Sequence, residues 1–232
     1  MKELSLIVPA YNEEKRIKQT IVEYLKRFDP AFADYEIIIV LNGCRDRTID
    51  IVKGLSEENS KVRYLNYDQT IGKGGAILEG FKNAEGKIIG FLDADDAFNL
   101  TYIIRIVKLV ERYDCVIASK WKYQKFAEIN EPNLRKMCSR IWNLLARTLL
   151  NLNYYDTQAG AKFFRKETID SIDLDFICKD FSFDVELLSK IKDRRHSIIE
   201  VYVPSKYIRG TTFRLKYSIN MLLNLLKFWW KR

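Results

Sequence analysis

Phe91-Leu92-Asp93-Ala94-Asp95-Asp96 is the stretch whose reading decides the fold. It closes the apolar run 88–92 with three carboxylates in four residues. A short, continuous apolar run reads as a strand buried on both faces, the habit of a parallel sheet. Carboxylates this close repel one another unless a cation lies between them. Hard oxygen ligands at the mouth of a sheet suit Mg²⁺ or Mn²⁺, which take one or two carboxylates together with substrate phosphates. The same three acids would also serve as a solvated turn capping the next helix, because Asp is a good N-cap. Both readings stand at this point.

Outward from this strand, residues 4–118 alternate strand and helix. Strands are expected at 4–8, 36–41, 62–65, 88–92 and 115–118, and helices at 13–28, 48–55, 74–83 and 99–111. Repeated alternation with apolar strands predicts an α/β fold, a mostly parallel sheet covered on both faces. Ligands of such sheets bind beyond the carboxyl ends of the strands. The loops there are 9–13, 42–46, 72–75 and 93–96, and they hold the polar and glycine residues. The second half is less regular. Helices are expected at 134–150, 183–191 and 215–230, and strands at 161–164 and 198–203. With only 10 Gly and 4 Pro in 232 residues and no linker or repeat, the chain reads as one domain with a C-terminal appendage.

Composition narrows the function. The chain is 47% hydrophobic and 30% charged, an ordinary soluble composition. No signal-like stretch opens it, and no run of 18 apolar residues predicts a spanning helix. The four cysteines (Cys44, Cys115, Cys138, Cys178) form no CxxC, which argues against zinc and for a reducing compartment. The single histidine, His196, excludes a His-based metal cluster or a Ser/His/Asp triad.

The net charge of +8 is concentrated. Residues 132–152 hold Arg135, Lys136, Arg140 and Arg147 and no acid. Residues 201–232 hold seven more bases (Lys206, Arg209, Arg214, Lys216, Lys227, Lys231 and Arg232), again without an acid. These eleven of 39 bases carry the whole excess, and the rest of the chain is slightly acidic. Such segments imply an anionic partner, membrane or nucleic acid. Both lie on amphipathic helices. The first has apolar Leu134, Met137, Ile141, Leu144, Leu145 and Leu149. The second has Leu215, Ile219, Leu222, Leu223, Leu226, Trp229 and Trp230, and its end, Trp229-Trp230-Lys231-Arg232, suits a membrane interface. Packing of either helix on the body is the plainer alternative.

Six segments taken in order carry a family resemblance: Ser5-Leu-Ile-Val-Pro-Ala-Tyr-Asn-Glu13, Asn42-Gly-Cys-Arg-Asp-Arg-Thr48, Gly72-Lys-Gly-Gly-Ala76, Asp93-Ala-Asp95, Asp156-Thr-Gln-Ala-Gly160 and Phe183-Asp-Val-Glu-Leu-Leu188. Over residues 4–212 the chain resembles glycosyltransferase family 2, most of all its dolichyl-phosphate (polyprenyl-phosphate) glucosyl- and mannosyltransferases. The resemblance implies a GT-A fold, a nucleotide-sugar donor and Mg²⁺ or Mn²⁺. It assigns Pro9, Ala10, Tyr11, Glu13, Asn42, Asp46, Gly72, Lys73, Asp93 and Ala94 to the donor, and Asp93 and Asp95 to the metal. It assigns Asp95, Lys120, Arg135 and Asp184 to catalysis, with Lys120 and Arg135 gripping an acceptor phosphate, and it places Asp156 and Gln158 along the acceptor side.

Three positions depart from the family pattern. Leu41-Asn42 replaces two aspartates, Lys120 replaces an arginine and loses its bidentate clamp, and Ala97 replaces a glutamine that some mannosyl members direct at the metal.

The implied activity is inverting transfer of a hexose from a UDP-glucose-like donor, or GDP-mannose, to a polyprenyl or dolichyl phosphate. Its expected setting is peripheral, on the cytoplasmic face of a membrane with an anionic surface, a membrane-anchoring partner subunit remaining open. Residues 1–212 would form the GT-A domain and 213–232 a membrane-associating helix. The alternative is a family 2 enzyme acting on a saccharide hydroxyl, which would need Asp180 or Asp184 as general base. A nucleotidyltransferase is a further rival. Nucleic-acid binding lacks any reader motif, so no nucleic-acid partner is expected.

Overall fold

The structure, a computed structural model, describes residues 1–95, 98–129, 131–206 and 216–232. Asp96, Ala97, Arg209, Arg214, Leu215 and the 212/213 domain boundary fall outside them. Strands β1 (Leu4–Ala10), β2 (Tyr35–Asn42), β3 (Val62–Tyr67) and β4 (Ile88–Leu92) alternate with helices α1 (Ile17–Phe28), α2 (Thr48–Glu58) and α3 (Gly72–Lys82). Then come α4 (Leu100–Leu109), β5 (Cys115–Ser119), α5 (Asn133–Leu150), β6 (Ala161–Arg165), α6 (Lys166–Asp170), α7 (Phe183–Asp193), β7 (Ile198–Tyr202) and α8 (Lys216–Lys231).

The sheet runs β3-β2-β1-β4-β6-β5-β7. All pairs are parallel except those of β6, which runs antiparallel between β4 and β5. Successive side chains of a strand point to opposite faces, and here both faces are apolar. Leu4, Leu6 and Val8 pack with Ile17, Ile21, Tyr24 and Phe28 of α1 and with Ile103 and Val107 of α4. Ile7, Ile38 and Val40 face Ala76, Ile77 and Phe81 of α3 and Val185, Leu187 and Leu188 of α7.

Most expected elements are present within a few residues. The first helix begins at Ile17 rather than Glu13, because Arg16 has φ −138° and breaks the helical path. α6 was not anticipated; five residues are too few for a periodic pattern.

α5 and α8 each bury a face other than the expected stripe. In α5, Trp142, Ala146 and Leu150 are buried, while Leu134, Met137, Ile141 and Leu144 stay exposed. Lys136 is also buried and donates to the carbonyls of Phe126 and Ile129. In α8, Met221, Leu225 and Phe228 join the core, while Ile219, Leu222, Leu223, Leu226, Trp229 and Trp230 stay exposed. Among the described residues no helix is long and apolar enough to cross a membrane.

Candidate active site

The loops after β1, β2 and β4 meet beyond the carboxyl ends of the strands. Pro9 and Ala10 end β1, and Tyr11 is partly exposed beside them. The loop 11–16 is stitched to the loop 42–48 by side chains that catch backbone amides. Arg45 N donates to Asn12 Oδ1 at 2.8 Å, Glu13 N to Thr48 Oγ1 at 2.8 Å and Glu14 N to Asp46 Oδ2 at 3.2 Å. Burial alone would raise the Asp46 carboxyl, but hydrogen bonds from Thr48 and the Glu14 amide outweigh it and hold the group below the usual carboxylate range. Glu13 goes the other way: burial raises it, Arg16 pulls it back, and the charges of Asp95 and Asp46 add to the rise.

Asn42, expected at the base, accepts from Ile71 N through Oδ1 at 2.7 Å and so fixes the entry to α3. The amide thereby supplies a neutral acceptor that an aspartate would have supplied with a charge.

Gly72 opens α3 with φ +80°, and a Cβ there would lie 2.0 Å from the Lys179 carbonyl oxygen. Only glycine fits that backbone and that approach. Gly75 N donates to the same carbonyl at 3.2 Å. A helix opening in glycines presents amides suited to phosphate. Lys73 follows, and its Nζ lies 2.6 Å from Asp93 Oδ1. Burial lowers the Lys73 ammonium, but the nearby charges of Asp93, Asp184 and Asp95 overcome it and leave the group raised and firmly protonated.

Asp93, Ala94 and Asp95 follow β4 directly. Asp93 N donates to the Gly160 carbonyl at 3.0 Å; the Asp93 and Ala94 carbonyls accept from Tyr24 and Thr20. A Cβ at residue 160 would sit 2.0 Å from Asp93 Oδ2, so glycine makes the space the carboxylate occupies. A half-exposed pair of hard oxygen donors, with a lysine ammonium already drawn to one of them, fits a divalent cation completed by phosphate and water. Among the described residues no group of three or more His, Cys, Asp or Glu converges as a metal cage.

The residues expected on the acceptor side are held by ion pairs and by contacts with backbone groups. Lys120, just past β5, places Nζ 2.6 Å from Glu131 Oε1, and Arg135 Nε lies 3.6 Å from Glu131 Oε2. Asp156 Oδ2 accepts from Lys120 N at 3.2 Å, and Asp156 N donates to Glu200 Oε1 at 2.7 Å. Burial pushes the Asp156 carboxyl up to about 6, against the pull of Lys120. Gln158 donates to the Phe181 carbonyl at 2.9 Å.

Asp184 is buried and paired with Lys162, Nζ to Oδ1 2.5 Å; that ammonium also donates to the Ala159 carbonyl at 2.7 Å. Asp180 Oδ1 accepts from Ser182, and its Oδ2 accepts from Asn224 of α8 at 3.0 Å.

Lys162 and Glu131 thus contact expected site residues although no motif singled them out, whereas Gly160 closes the segment 156–160 already noted in the sequence. A lysine inside the apolar strand Ala161-Lys162-Phe163-Phe164 was the available signal for the first. Nothing local marks Glu131.

The model of the family Glycosyl transferase family 2 matches residues 5–173. The chain belongs to this family. Among curated family relatives, it is 30% identical over 235 residues to the glycosyltransferase AglD of Haloferax volcanii, which covers 99% of this chain but only 37% of AglD. The chain thus spans just over a third of that relative. It is 28% identical to the dolichyl-phosphate beta-glucosyltransferase ALG5D of Trichomonas vaginalis, over 97% of this chain and 72% of ALG5D. Identity is also 28% to the dolichyl-phosphate beta-glucosyltransferase of Drosophila melanogaster, over 98% of this chain and 74% of the relative. Among solved structures, glucosyl-3-phosphoglycerate synthase from Mycobacterium tuberculosis, in complex with Mn²⁺, UDP-glucose and phosphoglyceric acid, matches with TM-score 0.73. Identity is 19%, over 98% of this chain and 80% of that one. A complex of the same synthase with Mg²⁺ and UDP matches at 0.72. These neighbours share the GT-A fold with this family 2 chain.

Proposed function

We propose that this family 2 glycosyltransferase is a metal-dependent, inverting hexosyltransferase. Its donor is a nucleoside-diphosphate hexose, UDP-glucose favoured over GDP-mannose, and its acceptor is a polyprenyl or dolichyl phosphate. The dolichyl-phosphate relatives support the acceptor, and the UDP-glucose-bound fold neighbour supports the donor.

One observation carries the reading. The two acids that a hydroxyl acceptor would need as base are committed: Asp184 to Lys162 in a buried pair, and Asp180 to Ser182 and Asn224. A phosphate acceptor arrives already ionised and needs no base.

The diphosphate would be received by the amides opening α3 and by Lys73. Asp93 and Asp95 would hold Mg²⁺ or Mn²⁺, and the bound ion would neutralise the departing nucleoside diphosphate. Lys120 and Arg135 would hold the acceptor phosphate in line with the anomeric carbon, so rate enhancement comes from positioning and preorganised charge.

Residues 1–212 would form the transferase domain, and 213–232 an interfacial helix on the cytoplasmic face of the membrane. The exposed apolar rows of α5 and α8, with Trp230 at 84% exposure, support peripheral seating on an anionic surface, alone or with a membrane partner subunit.

The test is transfer from radiolabelled UDP- and GDP-sugars to a short polyprenyl phosphate with Mn²⁺, Mg²⁺ or EDTA. Label entering the lipid fraction, and abolished by EDTA, is expected and names the donor. Label transferred only to saccharide hydroxyls would overturn the acceptor, and undiminished transfer in EDTA would overturn the metal.

A further inference from the structure

Glu131 lies between the two bases assigned to the acceptor. Its Oε1 takes the Lys120 ammonium at 2.6 Å, and its side chain is 8% exposed. Its Oε2 is buried and has no hydrogen-bond partner among the described residues. Arg135 Nε, at 3.6 Å, is beyond hydrogen-bond range. A buried carboxylate oxygen left this way is costly. Beside it opens a cavity of about 90 Å³, lined by Lys120, Gln124, Glu128, Ile129, Glu131, Tyr202 and Ser205; the Glu128 carboxylate is engaged by the Lys125 amide at 2.7 Å. Pro132 follows Glu131 and disfavours the helical conformation for the residue before it. The carboxylate therefore rides on the loop ahead of α5, and it can withdraw without unwinding the helix.

We propose that Glu131 is a resident counter-anion occupying the acceptor-phosphate position, and that an acceptor is admitted only if its charge displaces the Glu131 carboxylate. This rests on the reading of Lys120 and Arg135 as the acceptor-phosphate grip. A phosphate monoester carries nearly two charges at neutral pH and three strong acceptor oxygens. It satisfies Lys120 and Arg135 better than a carboxylate bound through one oxygen, since Arg and Lys pair strongly with phosphate. A neutral hydroxyl cannot displace the carboxylate. Glu131 is thus a specificity-determining residue that sets the threshold for anionic acceptors while keeping two cations neutralised when no acceptor is bound.

The experiment is titration of the full chain with phenyl phosphate, inorganic phosphate and a short polyprenyl phosphate, by calorimetry, for wild type and Glu131→Gln. Donor and acceptor KM are measured alongside. Glu131→Gln is expected to bind phosphate monoesters roughly tenfold more tightly. It should lower the acceptor KM and leave the donor KM unchanged. Adding Lys120→Gln should abolish the gain. Tightening for all three ligands identifies a general phosphate slot, and tightening for the polyprenyl phosphate alone identifies a lipid headgroup site; either supports the inference. If Glu131→Gln melts early, Glu131→Asp keeps the charge but shortens its reach and is expected to show a smaller gain in the same direction. Equal or weaker phosphate binding by folded variants, with wild-type transfer to polyprenyl phosphate intact, would overturn the role of Glu131 and leave the proposed function standing. Absence of both phosphate binding and lipid transfer in wild type would overturn both.

Discussion

The proposed donor half and the proposed acceptor half of the site are stabilised by different devices. On the proposed donor side the groups proposed to bind the metal are acids, Asp93 and Asp95, and a lysine ammonium stands beside one of them. On the proposed acceptor side the groups proposed to hold the phosphate are bases, Lys120 and Arg135, and a glutamate stands between them. The scaffolds differ as well. The donor loops are fixed by short side chains catching amides and by glycines that admit close backbone approach. The proposed acceptor side adds ion pairs between groups far apart in sequence, Lys162 with Asp184 and Lys120 with Glu131, while Glu200 catches the Tyr155 and Asp156 amides. Backbone stitching tolerates changes of charge, whereas a lattice of buried charges fails when one member is neutralised, because its partner is left unpaired.

The largest test of this contrast is Asp95→Ala. Transfer is expected to fall roughly a thousandfold, several kcal/mol of lost charge stabilisation. The Tm should move by less than about 2 °C. Near-normal turnover would remove the metal from the donor half.

Lys162→Met comes next. Stranding the Asp184 carboxylate is expected to cost about 3–5 kcal/mol in urea unfolding, and Lys162→Met with Asp184→Leu should recover most of it. A loss under about 1 kcal/mol would break the claim that charge holds the acceptor half.

Asp156 supplies a pH test. Its folded pKa of about 6 lies above the ordinary 3.8, so the native state binds this proton more tightly than the unfolded chain. The contribution to stability is full below about pH 4 and is lost as pH rises through about 6. The gap corresponds to about 3 kcal/mol. The stability of Asp156→Asn relative to wild type should therefore climb by about that amount between pH 4 and 7, as read from urea midpoints. A flat difference would show that the carboxyl is not strained by burial.

The smallest effect expected is from Gly160→Ala. The new methyl must turn the Asp93 carboxylate aside, weakening Mn²⁺ binding roughly tenfold by electron paramagnetic resonance, about 1.4 kcal/mol, with the fold retained. Unchanged affinity would place Asp93 outside the metal set.

Much of this was legible in the residues. Ile88–Leu92 is found as read, because five apolar residues followed by carboxylates leave little choice of boundary. The donor residues came from segments whose geometry is local, each a strand end and the turn after it. The acceptor lattice was not legible, because Glu131 and Lys162 are defined by partners that no periodicity reveals. The direction of β6 was hidden too, since an apolar run reads the same in either sense. In α8, spacing found an amphipathic helix but not its buried face. Met221, Leu225 and Phe228 pack inward, and the longer stripe of Ile219, Leu222, Leu226 and Trp229 does not.

The antiparallel insertion of β6 bears on how the chain reaches this state. β4 and β5 are not neighbours in the sheet; each is completed only when residues 161–165 enter between them. Until then the nascent chain leaves the outer edge of β4 and both edges of β5 unpaired, since β7 follows later still, and such edges invite association with other chains. Pairings over long sequence distances form slowly. The late insertion of one five-residue strand is therefore expected to limit the folding rate, and pulsed hydrogen exchange should find the amides of β4 and β6 protected together, after those of β1 and β2.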